Sequence, residues 1–341
     1  MAHRTDWAST ETGHHMTRRT NGLNRQPPGE YERTIGEVEL PSTVREFVER
    51  YDRVVGHRDR FLWKWIHNLF DEFTLSCVPH DVLNEVRERK SLLTILVTTL
   101  DDLAERNDGD DAFDRVRWIP FAETTPAKRD SAPDIDPELW GFLKDLWKAI
   151  RTGIEQAPRY AEFADIFEYD FRQTINAMEH ARLLNANPAM ANRMETDRYD
   201  AYNMCMFPYA CLDLMYSPSF ERRELGALRS LLCELQQMAR IGNWLTTWER
   251  ELTEGDFSSG IVVCAIRRRV ITASEARRGD IDRLVDRITT HGIEAEFIRE
   301  WEIRQKASRK QAAELQSIDG ESLVDGLETV MNHHLASDGY K

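Results

Sequence analysis

Residues 240–260 read RIGNWLTTWERELTEGDFSSG, and within them Asn243, Thr247 and Glu251 recur every four residues. Side chains at i, i+4 and i+8 of an α-helix lie in one stripe. This stripe carries an amide oxygen, a hydroxyl and a carboxylate, three hard donors of the kind Mg²⁺ takes. A solvated helix face can carry the same residue types, so the stripe gains meaning only from a second element. Residues 92–100, LLTILVTTL, are almost wholly apolar and run into Asp101-Asp102-Leu103-Ala104-Glu105. Asp101 and Glu105 share a helix face, with Asp102 close by. Carboxylates this near repel, and at the end of a buried helix the cost grows unless a cation neutralises them. The sequence therefore predicts two oxygen-donor clusters on largely apolar helices, 142 residues apart from Asp101 to Asn243.

The composition bounds what such clusters can serve. A chain of 341 residues with 41% hydrophobic residues can bury a large core and reads as globular and helix-rich. Its 45 basic and 59 acidic residues give a net charge of −14, which argues against nucleic acid as main partner. A polyanion could still be held locally through metal and a few Arg. The five Cys (77, 205, 211, 233 and 264) stand in apolar, helix-like contexts without metal-ligand spacing. They read as reduced core thiols of a cytoplasmic protein. No signal peptide is evident, and the longest apolar runs fall short of the roughly 20 residues a membrane helix needs.

DDLAE resembles the aspartate-rich DDxxD/E motif of class I terpene synthases. Asn243, Thr247 and Glu251 are similar to that family's N-x-x-x-S/T-x-x-x-E motif, and Gly255-Asp256 and the order of the two motifs also suit it. Trp244 stands where the family commonly has Asp. The resemblance covers roughly residues 40–335. It implies an all-α fold, a single-domain terpenoid-synthase-like helical bundle around a central apolar cavity. It also implies three Mg²⁺ ions and an isoprenyl diphosphate substrate. The implied metal ligands are Asp101, Asp102 and Glu105 on one side and Asn243, Thr247 and Glu251 on the other. The family also carries a diphosphate-sensing Arg upstream of the motif Asn, and Arg198, 45 residues before Asn243, is the candidate. Surface ion pairing is the plainer role for Arg198. Phe73, Phe207 and Trp244 are candidate substrate contacts, with core packing as the alternative for each.

Working outward, residues 1–40 show no apolar periodicity and read as a polar N-terminal tail, or alternatively as a lid over a loaded site. Residues 41–336 would form the catalytic domain and 337–341 a C-terminal tail. Pro41-Ser42-Thr43 with Glu46 reads as a capped helix start, and helices are expected over 41–55, 59–76 and 81–106. Asp110-Asp111-Ala112-Phe113-Asp114 also fits DDxxD, but it follows a turn and ranks below DDLAE. After a loop at 115–135, helices are expected at 137–156, 158–185, 196–216, 220–252, 274–290, 294–316 and 321–335. The segment 261–271 is β-branched enough for a strand, and the resemblance favours a helix. Phe207-Pro208 should kink the helix over 196–216. The family's Arg-Tyr pair near the C-terminus has no match, since no Arg precedes Tyr340. No DxDD motif occurs, so protonation-initiated cyclisation is not expected. Two rivals stay open: a prenyl-chain elongating enzyme of the same fold and a non-catalytic helical binding protein. A homodimer is also left open.

Overall fold

A computed structural model describes residues 28–56, 58–105, 112–121 and 135–336. Helices α1 (Pro28–Gly36), α2 (Ser42–Val54) and α3 (Arg60–Leu69) precede α4 (Leu83–Glu105). Then come α5 (Ala112–Val116), α6 (Pro137–Glu155), α7 (Tyr160–Ala186), α8 (Arg193–Tyr199), α9 (Met206–Tyr216) and α10 (Leu225–Glu254). The last five are α11 (Gly260–Arg267), α12 (Ala273–Arg278), α13 (Ile281–Thr290), α14 (Ile293–Ala312) and α15 (Gly320–Ala336). Among the described residues there is no strand, and no helix is long and apolar enough to cross a membrane. The 261–271 segment is helical, as α11.

Two helices organise the bundle. In α4 every residue from Lys90 to Val97 is buried, the signature of a helix apolar on all sides. It packs against α2, α3, α6, α7 and α9. Helix α10 buries Leu235, Met238, Ile241, Trp244, Leu245, Trp248 and Leu252, and packs against α14, α15, α11 and α9. Within the core, Lys90 Nζ meets Asp213 on α9 at 2.7 Å and donates to the Phe73 carbonyl at 2.7 Å, which ties the turn after α3 to two helices.

Several boundaries differ from the sequence reading. Residues 28–36 form α1 rather than tail: Tyr31 and Ile35, one turn apart, are buried beside Trp65, and Tyr31 stacks on His333 at 5.1 Å. Residues 1–27 and 337–341 lie outside the described set. Helix α2 starts at Pro41 without a side-chain cap, so the expected capping box is absent. The helix expected to reach residue 76 stops at Leu69. The expected kink at Pro208 is instead a full break upstream. A short 3-10 stretch, Asp200–Met204, ends at Cys205, whose left-handed φ of 56° starts α9 afresh. Pro208 then falls in the first turn of α9, where its missing N–H costs nothing. Asp280 starts a new helix inside the expected 274–290 segment. All five thiols are free, and Cys233 is exposed rather than in the core.

Helix α15 touches the turn after α3 so closely that a Cβ at Gly326 would stand 2.2 Å from the Glu72 carbonyl oxygen. Gly326→Ala should therefore lower unfolding free energy by about 1–3 kcal/mol, as overpacking against backbone does. Urea denaturation measures it, and an unchanged midpoint would show that the contact yields.

Candidate functional site

Helices α4 and α10 bring their polar ends to the mouth of one cavity of ≈ 280 Å³. Asp101 and Glu105 line it from α4, and Asn243, Thr247 and Glu251 from α10. Five of the six predicted metal ligands therefore face one space. Asp102 points to the adjacent rim, where Arg58 and the Tyr51 hydroxyl both donate to its carboxylate.

The loop after α10 completes the mouth. Gly255 ends the helix in the left-handed region at φ 85°, and the Asp256 N–H closes back on the Glu251 carbonyl at 2.8 Å. The Asp256 carboxylate accepts from Asn185 Nδ2 at 2.8 Å and from the Ser258 N–H at 2.9 Å, which staples this loop to α7.

The electrostatics show how near the two clusters are. Burial lifts the Asp101 carboxyl to about 6, reinforced by Asp102 and partly offset by Arg240 and an Asn203 hydrogen bond. Burial lifts Glu251 to about 7, with the Asp256 charge adding to it and Arg240 and Thr247 opposing. Glu105 is pushed up by burial and then by Asp101, Asp256, Asp102 and Glu251. It is exposed at the rim, where water screens part of this effect. Carboxylates from α4 and from the end of α10 thus repel across the mouth. Glu251 Oε2 is buried and has no hydrogen-bond partner among the described residues.

The cationic side of the mouth is Arg58, Arg240 and Arg250. Arg240 is buried; its Nε meets Asp200 at 2.6 Å and its Nη1 donates to the Asn243 amide oxygen at 2.7 Å. Asn203 Nδ2 donates to Asp101 at 3.1 Å. The broken segment between α8 and α9 therefore holds Asp101 with one residue and Arg240 with another. Arg198 lies elsewhere: it is exposed on α8 and does not line the cavity. Arg240, by contrast, sits one turn before Asn243 on the same helix face, a signal present in the sequence.

Below the mouth the wall is apolar and aromatic. Trp65, Phe70, Phe73 and Tyr209 line it, Phe70 meeting Tyr209 edge-on at 5.1 Å. Phe73 lies in this wall. Trp244 and Phe207 do not. Trp244 is fully buried, edge-on to Phe297 at 5.6 Å and tight against Gly260. Phe207 stacks on Tyr202 at 5.7 Å beneath the Arg229 guanidinium. Both are core residues.

No protein-family model matches this chain, and no curated protein matches it.

The oxygens that could hold a divalent cation here are those of Asp101, Glu105, Asn243, Thr247 and Glu251. Among the described residues no three His, Cys, Asp or Glu side chains form a ready-made metal cluster. Mg²⁺ seldom uses one, taking one or two carboxylates and filling the remaining positions with water and ligand phosphate. The unpartnered Glu251 Oε2 and the mutually repelling carboxylates across the mouth fit that pattern. The second DDxxD-like segment is described only from Ala112 on. Asp110 and Asp111 lie outside the described residues, and Asp114 pairs with Arg117 at 3.1 Å and Arg182 at 3.0 Å, away from the cavity lining.

Proposed function

We propose that this chain is a class I terpene synthase. It would ionise an allylic isoprenyl diphosphate of C15 or C20 length and cyclise the resulting carbocation to a terpene hydrocarbon or alcohol, releasing diphosphate. The observation that carries the reading is the meeting of Asp101, Glu105, Asn243, Thr247 and Glu251 at the mouth of an aromatic-walled cavity.

Mg²⁺ bound between those oxygens would act as a Lewis acid on the departing diphosphate. The protein's own groups do the rest. Arg58, Arg240 and Arg250 offer charge-assisted hydrogen bonds to the diphosphate oxygens. Arg240 is held ready by Asp200, so it loses little side-chain freedom on binding. The hydrocarbon chain enters the space below, where burial of its surface favours binding. The aromatic rings of Trp65, Phe70, Phe73 and Tyr209 would attract a developing positive charge. The shape of that wall selects which carbons meet.

Incubation with farnesyl or geranylgeranyl diphosphate and Mg²⁺ tests the reading. Inorganic diphosphate and a volatile hydrocarbon or alcohol should appear together without isopentenyl diphosphate. A requirement for isopentenyl diphosphate would reassign the chain to prenyl elongation, and no release from either substrate would remove the assignment. The two arginines separate within the same assay. Arg240→Ala should lower turnover by about a hundredfold or more, the usual scale for a preorganised donor to developing charge. Arg198→Ala should leave turnover within about twofold, as expected of a surface position.

A further inference from the structure

Ionisation leaves positive charge on the hydrocarbon, and that charge is discharged either by loss of a proton or by addition of water. Two oxygens just inside the mouth bear on the choice. Asn203 lies in the 3-10 stretch between α8 and α9 and lines the cavity, as do its neighbours Met204 and Met206. Its Nδ2 donates to Asp101 at 3.1 Å. A carboxylate that holds a cation accepts hydrogen bonds and donates none, so the amide keeps its nitrogen towards Asp101 and turns Oδ1 away from the acidic cluster. That Oδ1 is buried and has no hydrogen-bond partner among the described residues.

The second oxygen is on α4. Thr94, Val97, Thr98, Asp101 and Glu105 form one stripe of that helix, and all line the cavity. Thr98 stands one turn, about 4.5 Å, below Asp101 along the axis. Thr94 and Thr99 give their hydroxyl protons to the carbonyls of Lys90 and Ile95, one turn back. Thr98 does not: among the described residues its hydroxyl makes no hydrogen bond. Deeper in the wall, Thr94 and Tyr209 satisfy one another at 2.7 Å. An uncommitted amide oxygen and an uncommitted hydroxyl therefore adjoin Asp101 where the polar mouth gives way to the apolar wall. A buried carbonyl oxygen needs a donor. The hydrocarbon has none, and a metal-bound diphosphate offers acceptors only. Water offers two donors, and it is held where two or more polar groups face it.

We propose that Asn203 and Thr98 hold the water that ends the reaction, so that the product is an alcohol; this assignment rests on the function proposed above. Asn203 Oδ1 and Thr98 Oγ1 accept the two hydrogens of the water, which leaves a lone pair free to face the cationic carbon. That lone pair forms the C–O bond, and the positive charge moves from carbon to oxygen. One O–H bond of the oxonium then breaks with its electron pair staying on oxygen. The proton passes to the released diphosphate.

The test uses the full chain with Mg²⁺ and the accepted allylic diphosphate in ¹⁸O-enriched water, comparing wild type, Thr98→Val, Thr98→Ser and Asn203→Leu. Gas chromatography–mass spectrometry reads the alcohol formed per diphosphate released and the isotope in its hydroxyl. The wild-type product should be an alcohol carrying ¹⁸O. The ratio should fall by about fivefold or more in Thr98→Val and in Asn203→Leu, the scale of one neutral hydrogen bond, with olefins in place of the alcohol. Thr98→Ser keeps the hydroxyl and should keep the ratio. Asn203→Leu should also slow diphosphate release, because Asp101 loses its donor; if too little is released to measure, the two Thr98 variants decide alone. A wild-type product that is wholly olefin, an alcohol without ¹⁸O, an undiminished ratio in Thr98→Val, or an equal loss in Thr98→Ser overturns the water site and leaves the proposed function standing. Absence of diphosphate release from wild type would overturn that function, and the water site with it.

Discussion

Asp101→Asn is expected to lower turnover by at least about a thousandfold and, without added Mg²⁺, to raise the melting temperature at neutral pH. The first effect follows from losing an anionic oxygen where the leaving group's charge must be neutralised; a thousandfold corresponds to about 4 kcal/mol. The second follows from the free protein. Burial and Asp102 lift the Asp101 carboxyl from 3.8 to about 6. The unfolded chain releases this proton near its ordinary value while the folded protein still holds it. Stability from this group is thus complete below about pH 4 and is lost as pH rises through about 6. Glu251, lifted from 4.5 to about 7, acts with the same sign over a slightly higher window. Wild type should lose stability between roughly pH 4 and 7, and Asp101→Asn should lose less. Melting curves by circular dichroism across that range measure it. A variant that melts lower than wild type at pH 7 would mean that Asp101 is a structural anchor through Asn203 rather than a charge awaiting a cation.

Lys90→Met should be the most destabilising single change outside the site, at about 3–5 kcal/mol. The Lys90 and Asp213 side chains are both wholly buried, 2.7 Å apart. Asp213 also accepts from the Leu75 N–H at 3.0 Å, and Lys90 donates to Phe73 O and to Thr74 Oγ1. Burial pushes Asp213 up to about 6 against the pull of Lys90, and pushes Lys90 down against the pull of Asp213. Removing Lys90 alone strands a carboxylate in the core. The double variant Lys90→Met, Asp213→Asn removes that charge and keeps an acceptor for Leu75, so it should recover about half of the loss or more. Urea denaturation of the three proteins reads the cycle. A single-variant loss below about 1 kcal/mol would show that the pair is not the tie described. Because Phe70 and Phe73 border this network and also line the cavity, the same variants should alter the product mixture.

The parts of the site legible in the sequence are those fixed by helical periodicity. Asn243, Thr247 and Glu251, and Asp101 with Glu105, each share one face of a regular helix, and the structure turns both faces to one cavity. Trp244 illustrates the other side of that rule. One residue beyond Asn243, it is turned by about 100° around the axis and enters the core. Between Arg198 and Asn243 the chain passes through the 3-10 stretch and the left-handed Cys205. Counting cannot aim a side chain through irregular backbone. Asp102 shares its motif with Asp101, yet Arg58 and Tyr51, some fifty residues earlier, claim it, and only tertiary packing brings them there. Helix α1 carried too few apolar residues for periodicity, although Pro28 at its start and the Tyr31–Ile35 pair mark it in hindsight.

Titration calorimetry of inorganic diphosphate into the protein, with and without Mg²⁺, tests most directly whether the two helix faces act as one site. Binding should require Mg²⁺ and should be lost in Asp101→Asn and in Glu251→Gln separately, since each removes one side of the grip. Binding without Mg²⁺, or binding that survives either substitution, would contradict a shared site and leave the two acidic stripes as unrelated surfaces.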